Sequence, residues 1–363
     1  MSAPLVWLEA DAQVSSADVV GAKMARLAEL SGFGVRVPRG FTVTVEAFQE
    51  HCDRSGLAAA IEKELSGLSD DTDHERVAAA ADSIHSQFID APIGASLKAL
   101  ISDAYDDLCY ECCNVNMPVA VRSSAIGEDS AQASHAGIFE TVLGVAGVLE
   151  ISRSIQECWA SLFTARALHY RLEHGLSHFD SPMAVGVLEL IPARASGVAF
   201  SIHPVTGRSD RLVIEATWGW GEAIVQGTVT PDHAEVGKSD LRLLSYDIGD
   251  KKVVSAFVPT RGRIEEIPMP SRLRNERVLD DPQVHAIADT VILIERSYGH
   301  PVDVEWVIER GWREGDPPCV VQARPESVHG GATDESGRAP EEPADADWDP
   351  VAYATRYAFG NPE

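Results

Sequence analysis

The clearest alternation of apolar and polar side chains in this chain lies in Val302–Glu309, which reads V-D-V-E-W-V-I-E. Successive side chains of a β-strand point to opposite faces of the sheet. The alternation therefore predicts a strand with Asp303 and Glu305 on one face and apolar side chains on the other.

The segment Cys319–Arg324, C-V-V-Q-A-R, repeats the pattern and places Gln322 and Arg324 on one face. The linker 310–318 between the two segments is short, which favours an antiparallel pair of strands. Two carboxylates, an amide and a guanidinium on one buried face are costly unless they meet ions. A divalent metal with a triphosphate would satisfy all four, and a purely structural network of ion pairs is the alternative.

Another strand signal ends in a small polar loop. Val119–Val121 is a short β-branched run after Pro118, and it leads directly into Arg122 and a loop of Ser, Ala and Gly. A guanidinium beside unpaired backbone N–H groups is a common way to hold phosphate. The Gly-x4-Gly-Lys-Ser/Thr pattern occurs nowhere in the chain, which disfavours a P-loop NTPase.

Helical patterns fill much of the N-terminal half. Val20–Ser31 predicts a helix with Lys23 in its first turn, where a cation is unfavourable unless an anion binds there as well. Residues 45–114 predict a helical insertion with no visible chemistry. Ile151–His174 predicts one long helix whose aromatic residues belong to the core. Three histidines of the insertion are expected at the surface: His51, His74 and His85.

Three apolar segments after that helix predict strands that end in turns rich in Pro and Gly. They are Met183–Ile191, Ser196–Gly207 and Leu212–Glu222. Two acids of the last segment, Glu215 and Glu222, are expected either near a bound triphosphate or as residues that support the turn.

Composition narrows the class of protein. The chain has 363 residues, of which 45% are hydrophobic, and its net charge is −26. Such a charge repels nucleic acid and anionic membrane surfaces, so neither is an expected partner. No apolar run is long enough to span a bilayer and the N-terminus lacks a signal pattern, so we expect a cytoplasmic protein.

The loop that starts at Arg122, R-S-S-A-I-G-E-D-S-A-Q-A-S-H-A-G-I-F-E-T, resembles a known family. It is similar to the phosphate loop of the ATP-grasp nucleotide domain in phosphoenolpyruvate synthase, pyruvate phosphate dikinase and rifampicin phosphotransferase. The stretch 32–44, G-F-G-V-R-V-P-R-G-F-T-V-T, resembles the same family's N-terminal pattern, and T-V-T-P-D-H at 228–233 resembles its second subdomain.

This resemblance implies an α/β (α+β) fold, an ATP-grasp fold of two subdomains with the nucleotide cleft between them. Residues 1–190 are expected to form the N-terminal subdomain, including the helical insertion at about 45–114. Residues 191–328 are expected to form the C-terminal subdomain. Residues 329–363 read as an acidic linker followed by a short C-terminal helix.

The resemblance also implies ATP and Mg²⁺ as cofactors. The residues implied to grip phosphates in catalysis are Lys23, Arg122 and Arg324. The residues implied to contact the nucleotide are Lys23, Arg122, Gly137, Thr141, Leu188, Glu189, Glu305, Gln322 and Arg324. The residues implied to hold the metal are Glu305, Gln322 and Asp303. The chain departs from the family pattern at Ala22 and Met24, where Gly is usual, and at Leu188, where Gln is common.

In this family a histidine in a G-G-x-T-S-H motif, on a swivelling domain, carries the phosphoryl group. None of the 12 histidines of this chain lies in that motif, and His135 lies in the phosphate loop. We therefore expect the ATP-binding subunit of a split phosphotransferase, similar to phenylphosphate synthase or 4-methylphenyl phosphate synthase. It would pass the β-phosphoryl of ATP to a histidine of a separate carrier subunit, with release of AMP and phosphate. The final acceptor would be a small phenolic hydroxyl.

Three alternatives stay open. The same half-reaction could serve pyruvate or an antibiotic hydroxyl. An ATP-grasp ligase that forms an acyl phosphate is disfavoured, because such ligases lack the R-S-S-A loop. A non-catalytic nucleotide sensor is opposed by the intact set of Lys23, Arg122, Glu305, Gln322 and Arg324.

Overall fold

The computed structural model describes residues 3–8, 16–69, 71–126, 141–178, 182–258, 261 and 263–326. The chain forms two compact units. The first contains the N-terminal residues through Glu29 together with Arg39–Leu190, and the second contains Leu30–Pro38 and the residues from Ile191 onward.

The first unit combines one five-stranded sheet with a set of helices. Its strands are β1 (Leu5–Trp7), β2 (Gly40–Val43), β3 (Val119–Ala125), β4 (Thr141–Val145) and β5 (Met183–Glu189). Its helices are α1 (Ala17–Gly32, which continues into the second unit), α2 (Val45–Ser55), α3 (Leu57–Leu65), α4 (His74–Asp90), α5 (Ala95–Glu111), α6 (Val148–Ala160) and α7 (Ala165–Glu173). The strand order is β1-β2-β5-β3-β4, and every pair is antiparallel.

The core of this unit lies between one face of the sheet and the helices α2–α6. Alternate residues of β3 and β5, including Val121 and Val187, are fully buried in the same cluster as Phe88 and Trp159. The period of two along each strand and the apolar stripe of each helix produce this cluster. The prediction that the aromatic residues of 151–174 are core is confirmed for Trp159 and Phe163.

The expected single helix over 151–174 is wrong. The segment is broken into α6, a 3-10 turn at Ser161–Phe163, and α7. Thr164 adopts an extended backbone, and its hydroxyl accepts a hydrogen bond from the Ala167 N–H at 3.3 Å. A threonine N-cap restarts the helix there, because it satisfies a donor of the new first turn.

One expectation about the histidines of the insertion is also wrong. His74 and His85 are exposed, but only 6% of His51 is accessible to solvent. The His51 ring stacks on Trp159, with ring centroids 4.9 Å apart. The ring is buried because α2 presents its apolar face to the core with His51 on that face.

The second unit is built on a six-stranded sheet. Its strands are β6 (Ala193–Phe200), β7 (Arg211–Trp218), β8 (Asp232–Gly237), β9 (Leu243–Asp247), β12 (Val302–Glu309) and β13 (Cys319–Pro325). A separate hairpin is formed by β10 (Val253–Val258) and β11 (Arg263–Pro268), and the helices are α8 (Glu222–Val225) and α9 (Asp281–Tyr298). The order of the large sheet is β13-β12-β6-β7-β8-β9, again with antiparallel pairs throughout.

Helices and antiparallel sheets together confirm the α+β class. The helix α9 begins with a complete capping box, in which the Asp280 side chain accepts from the Gln283 N–H and the Gln283 side chain accepts from the Asp280 N–H. In the part of the chain that the structure describes, no helix has the length and apolar character needed to cross a bilayer. The expected acidic linker and C-terminal helix of 329–363 lie outside the described residues.

Candidate functional site

The strands β12 and β13 pair as the sequence predicts. Asp303 lies directly opposite Arg324, and Glu305 lies directly opposite Gln322. Opposed residues of an antiparallel pair project from the same face, so all four side chains share one face. The register shifts directly after this set, between Glu305 and Trp306. Such a bulge redirects the side chains beyond it and is common beside functional sites.

Asp303 is the most enclosed member of this set, because only 4% of its surface is accessible. Its Oδ2 accepts a hydrogen bond from Arg324 Nε at 3.4 Å, whereas its Oδ1 has no hydrogen-bond partner among the described residues. Burial raises the pKa of Asp303 to about 7; the charge of Arg324 opposes this, and the nearby Glu326 and Glu305 reinforce it. An enclosed carboxylate oxygen without a partner is costly, so the site favours a bound cation or donor.

The oxygen donors on this face fit Mg²⁺ better than a softer metal. Asp303 and Glu305 supply carboxylates and Gln322 an amide oxygen, which are the hard ligands that Mg²⁺ takes. Among the described residues, no group of three or more His, Cys, Asp or Glu is arranged to hold a metal ion. A site with two carboxylates suits Mg²⁺ that takes further ligands from substrate phosphates and water.

The same face continues across the sheet. The register places Glu305 opposite Val198 on β6, Val198 opposite Glu215 on β7, and Glu215 opposite His233 on β8. Because neighbouring strands lie about 4.8 Å apart, Glu215 is about 10 Å from Glu305 along this row. From the sequence, Glu215 was expected either to lie near the nucleotide or to support a turn. The structure places it within β7, in the same row across the sheet as Glu305.

Glu215 and His233 form a buried pair in which His233 Nδ1 and Glu215 Oε1 are 2.7 Å apart. Burial raises the pKa of Glu215. Burial alone would lower the pKa of His233, but the Glu215 carboxylate raises it on balance. Glu215 Oε2 has no hydrogen-bond partner in the described part of the chain. Glu215 Oε2 is therefore a further oxygen on this face that a ligand or donor could contact, in addition to the side chains of the four residues that the sequence identified.

Glu326 is an acid that the sequence reading missed. It follows β13 and is 4% exposed, and its charge contributes to the raised pKa of Asp303. The available signal was its position two residues after Arg324 in Q-A-R-P-E. Alternation could not identify it, because Pro325 ends the strand before it.

In the first unit, Arg122 and Thr141 lie opposite each other on β3 and β4. Arg122 is the one residue of β3 that is not fully buried. On its other side it lies opposite Gly186 of β5, and Ser124 follows two positions along the same face. Gly137 and the rest of the loop 127–140 lie outside the described residues, so their expected phosphate contacts stay predictions.

Lys23 is placed at a helix start by a break in α1. Gly21 has φ 73 and ψ 169, so a helical segment begins directly after it. The Met24 N–H donates to Ser124 Oγ at 3.2 Å. A Cβ added at Gly186 would lie 2.3 Å from Met24 Sδ, which shows how closely Met24 packs on β5. This helix start therefore lies on the sheet face that carries Arg122, with Lys23 in its first turn.

The departures from the family pattern have a physical consequence here. Met24 is 0% exposed and fills space against Gly186, and Leu188 is 1% exposed on the same face. The apolar side chains of Met24 and Leu188 add packing contacts at these positions. The family's usual glycine at position 24 would offer no side chain, and its common glutamine at position 188 would offer an amide. The expected contact of Leu188 with a nucleotide stays a prediction.

Glu189 ends β5 in a network of its own. Its carboxylate accepts hydrogen bonds from the Arg39 N–H at 3.0 Å, from Arg39 Nη2 at 3.2 Å and from Cys112 Sγ at 3.3 Å. Burial, reinforced by Glu189, raises the pKa of Cys112 to about 12, so this cysteine stays a thiol. The N–H groups of Glu189 and Leu190 donate to Arg39 O and Pro118 O. Neither N–H is then available to a nucleotide base.

Each unit thus presents a face that could meet phosphate or metal: Lys23, Arg122 and Thr141 in the first, and Asp303, Glu305, Gln322 and Arg324 in the second. Guanidinium and ammonium groups bind phosphate oxygens, and carboxylates bind a divalent cation. Residues of these types are the ones that a nucleoside triphosphate with its metal requires.

Comparison with known proteins gives an independent result. The family model for the pyruvate phosphate dikinase AMP/ATP-binding domain matches residues 17–344. A probable phosphoenolpyruvate synthase of Methanothermobacter thermautotrophicus is 37% identical over 320 residues, covering 88% of this chain and 45% of that protein. Another from Archaeoglobus fulgidus is 38% identical over 324 residues, covering 89% of this chain and 41% of that protein.

The phosphoenolpyruvate synthase of Escherichia coli is 35% identical over 345 residues, covering 90% of this chain and 42% of that protein. The chain therefore spans less than half the length of these relatives. Among solved structures, PH1788 from Pyrococcus horikoshii aligns over 84% of this chain and 89% of that one, at 11% identity with a TM-score of 0.31. This score is too low to indicate a common fold.

Proposed function

Because the chain belongs to the pyruvate phosphate dikinase AMP/ATP-binding domain family, we propose that it performs the nucleotide half-reaction of a phosphohistidine-type phosphotransferase. ATP would bind in the cleft of an ATP-grasp fold, and a histidine nitrogen would attack its β-phosphorus with AMP as the leaving group. Water would then cleave the γ-phosphoryl group from the histidine-bound pyrophosphoryl group and release it as phosphate. The remaining phosphohistidine would phosphorylate a small hydroxyl compound.

The observation that carries this proposal is the register of β12 and β13. Asp303 opposite Arg324, and Glu305 opposite Gln322, give a metal-binding and a phosphate-binding side chain on one strand face. The Oδ1 atom of Asp303 has no hydrogen-bond partner among the described residues, as expected of an oxygen that a cation completes. A structural ion-pair network would instead tend to satisfy both oxygens of the carboxylate.

Each residue takes a role that its chemistry allows. Lys23, Arg122 and Arg324 would hold phosphate oxygens and stabilise the charge on the transferring phosphoryl group. Asp303, Glu305 and the Gln322 amide would hold Mg²⁺. When bound, Mg²⁺ would neutralise charge on the phosphates of ATP. Fixing the phosphates in this way leaves the β-phosphorus open to a histidine nitrogen.

None of the 12 histidines of the chain lies in a G-G-x-T-S-H motif. We propose that the carrier histidine belongs to a separate carrier subunit. For the acceptor we keep the phenolic hydroxyl that the sequence suggested. Pyruvate is the second candidate, and the names of the relatives favour it.

The test measures AMP formation from ATP and Mg²⁺. The chain alone should bind ATP and release little AMP, and a separately expressed polypeptide with the G-G-x-T-S-H motif should start AMP formation. Phenol and pyruvate are then supplied in parallel as acceptors. Stoichiometric phosphorylation of either acceptor by the purified chain alone would contradict the carrier proposal, and no ATP binding at all would contradict the nucleotide role.

A further inference from the structure

A partly open cavity lies within the first unit, between α2 and the start of α5. Its volume is about 320 Å³. The residues of α2 that line it recur at positions 47, 50, 51, 54 and 55, which form one stripe of a helix. The other walls come from the loop before α5 and from the first turns of that helix. Its main lining residues are Ala47, His51, Arg54, Ser96, Leu97 and Leu100.

His51 is the buried polar side chain of this cavity. It is 94% buried, since 6% of its surface is accessible, and it stacks on Trp159. His51 Nε2 and Trp159 Nε1 both lack a hydrogen-bond partner among the residues that the structure describes. Burial lowers the pKa of His51, so its ring is neutral near pH 7. Of these two residues only His51 lines the cavity. An enclosed polar nitrogen without a partner is costly, and a polar guest in the cavity would relieve that cost at His51 Nε2.

The start of α5 supplies a second reason to expect a guest. Its N-cap, Gly94, makes no side-chain cap, and no acid lies in the first turn. Arg54 points towards this helix end, because a Cβ added at Gly94 would be 3.9 Å from Arg54 Nη1. A cation beside the positive end of a helix dipole is unfavourable unless an anion lies between them.

Glu50 is the competing carboxylate. Its Oε1 lies 3.1 Å from Arg54 Nε one turn away on α2, and the two side chains are 52% and 66% exposed. An exposed pair of this kind is weak, so it would yield Arg54 to a better placed anion at little cost. Arg54 and the helix end together carry about 1.5 positive charges, and Glu50 reduces this to about half a charge. That balance suits a singly charged ligand.

We propose that this cavity binds a small monocarboxylate with an apolar body, such as an aromatic or branched-chain acid. The carboxylate accepts hydrogen bonds from Arg54 and from the N–H groups at the start of α5. The apolar body packs against Leu97 and Leu100. The His51 ring closes the inner wall, and its Nε2–H donates to the carboxylate. Leu100, which is 42% exposed in the free protein, becomes covered.

The test is a titration of the full chain with benzoate, followed by calorimetry and by ligand-observed NMR. Benzoate should bind, whereas the neutral analogue benzamide and inorganic phosphate should bind at least about tenfold more weakly. Arg54→Gln should weaken benzoate binding at least about tenfold. Arg153→Gln is the matched control, because Arg153 forms the same kind of exposed pair with Glu157 on α6; it should change nothing.

Two further variants separate a binding role from a structural one. His51→Phe keeps the ring stack but removes both nitrogens, and it should weaken benzoate binding while the protein stays folded. Arg122→Gln, in the proposed phosphate site, should leave benzoate binding unchanged. The benzoate site and the proposed nucleotide function can therefore be tested separately. Equal binding of benzoate and benzamide, or equal affinity in Arg54→Gln and wild type, would overturn the proposal.

Discussion

Asp303 shows how one residue can link stability to ligand binding. Its carboxylate is enclosed, and one oxygen has no partner among the described residues, so the folded protein without a cation favours the protonated form. Its pKa of about 7 lies above the value of 3.8 for a free Asp. The folded state therefore binds a proton that the unfolded state has released between these two values. Stability from this group is present at low pH and is lost as the pH rises towards 7.

The first prediction concerns Asp303→Asn in the protein without nucleotide. The amide carries no charge, so we expect the variant to be more stable than wild type at pH 8, on the order of 2 kcal/mol. The difference should disappear near pH 4. Urea unfolding at a series of pH values measures it. Asp289→Asn, an exposed position on α9, is the control and should follow wild type at every pH. A stability difference that does not change with pH would contradict the assignment.

A second prediction at this scale concerns Glu305→Gln. The variant keeps the size and the hydrogen-bonding oxygen but removes the charge that favours a divalent cation. We expect ATP affinity in the presence of Mg²⁺ to fall by at least roughly tenfold, since even outer-shell partners of a metal typically contribute 10–100-fold. Calorimetric titrations with and without Mg²⁺ give the comparison.

The matched control for this change is Glu309→Gln on the same strand. Glu309 pairs with Arg36, with Oε2 and Nη2 2.9 Å apart, and it lies beyond the bulge that follows Glu305. It should leave the Mg²⁺ dependence intact even if stability falls slightly. A Glu305→Gln protein that still responds fully to Mg²⁺ would remove Glu305 from the metal site.

At the scale of elements, the sequence predicts strands better than helix ends. The β12–β13 pair follows from strict alternation and a short linker, because period-two patterning fixes which side chains share a face. The helix break at Thr164 was missed, because the apolar stripe continues through it and only a side-chain cap marks the restart. The burial of His51 was missed for a related reason. Helical patterning identifies the inward face but not which neighbour fills the space beside it.

The start of α1 offers a third prediction, at Gly21. Its φ of 73 belongs to the left-handed region, and a Cβ added there would lie 1.9 Å from the Ser124 carbonyl oxygen. Gly21→Ala should therefore displace the helix start from β3, destabilise the protein by more than about 1–3 kcal/mol, and weaken ATP binding through Lys23. Thermal unfolding and ATP titration measure the two effects.

Gly56→Ala is the control that separates backbone strain from a steric clash of the added Cβ. Gly56 has φ 71, and nothing lies within 4 Å of the added Cβ. The stability of Gly56→Ala should fall only by the cost of backbone strain, about 1 kcal/mol, and its ATP binding should be unchanged. If the two variants behaved alike, close contact between Gly21 and Ser124 would not be what positions Lys23.

At the scale of the whole molecule, the sequence motifs correctly predicted the α+β class and the family of nucleotide-binding domains to which the chain belongs. They could not predict which polar groups would be enclosed. The contact between Glu215 and His233 results from the order of the strands, and the burial of Glu326 results from what covers the sheet face. Local patterning encodes neither. The net charge of −26 adds a further constraint, because such a chain repels an anionic nucleotide unless local cations attract it. Arg122 and Arg324 are the cations to which we assign this role in our proposal.

The last prediction uses the division into two compact units. Two units in one chain can unfold in separate transitions, and a ligand stabilises only the units that it contacts. If ATP binding needs Lys23 and Arg122 of the first unit and also Arg324 of the second, unfolding of the less stable unit releases the ligand. Differential scanning calorimetry should therefore show that ATP raises the lower transition towards the upper one, whichever unit it belongs to. At a ligand concentration of 100 times Kd the gain is about 2.7 kcal/mol, roughly 5–10 °C for units of this size. Gly21→Ala identifies the first unit's transition by lowering it alone. Arg324→Gln should reduce the ATP shift, whereas Arg313→Gln, in the linker between β12 and β13, should preserve it. A wild-type protein in which ATP raises only the upper transition would show that the nucleotide is held by the more stable unit alone.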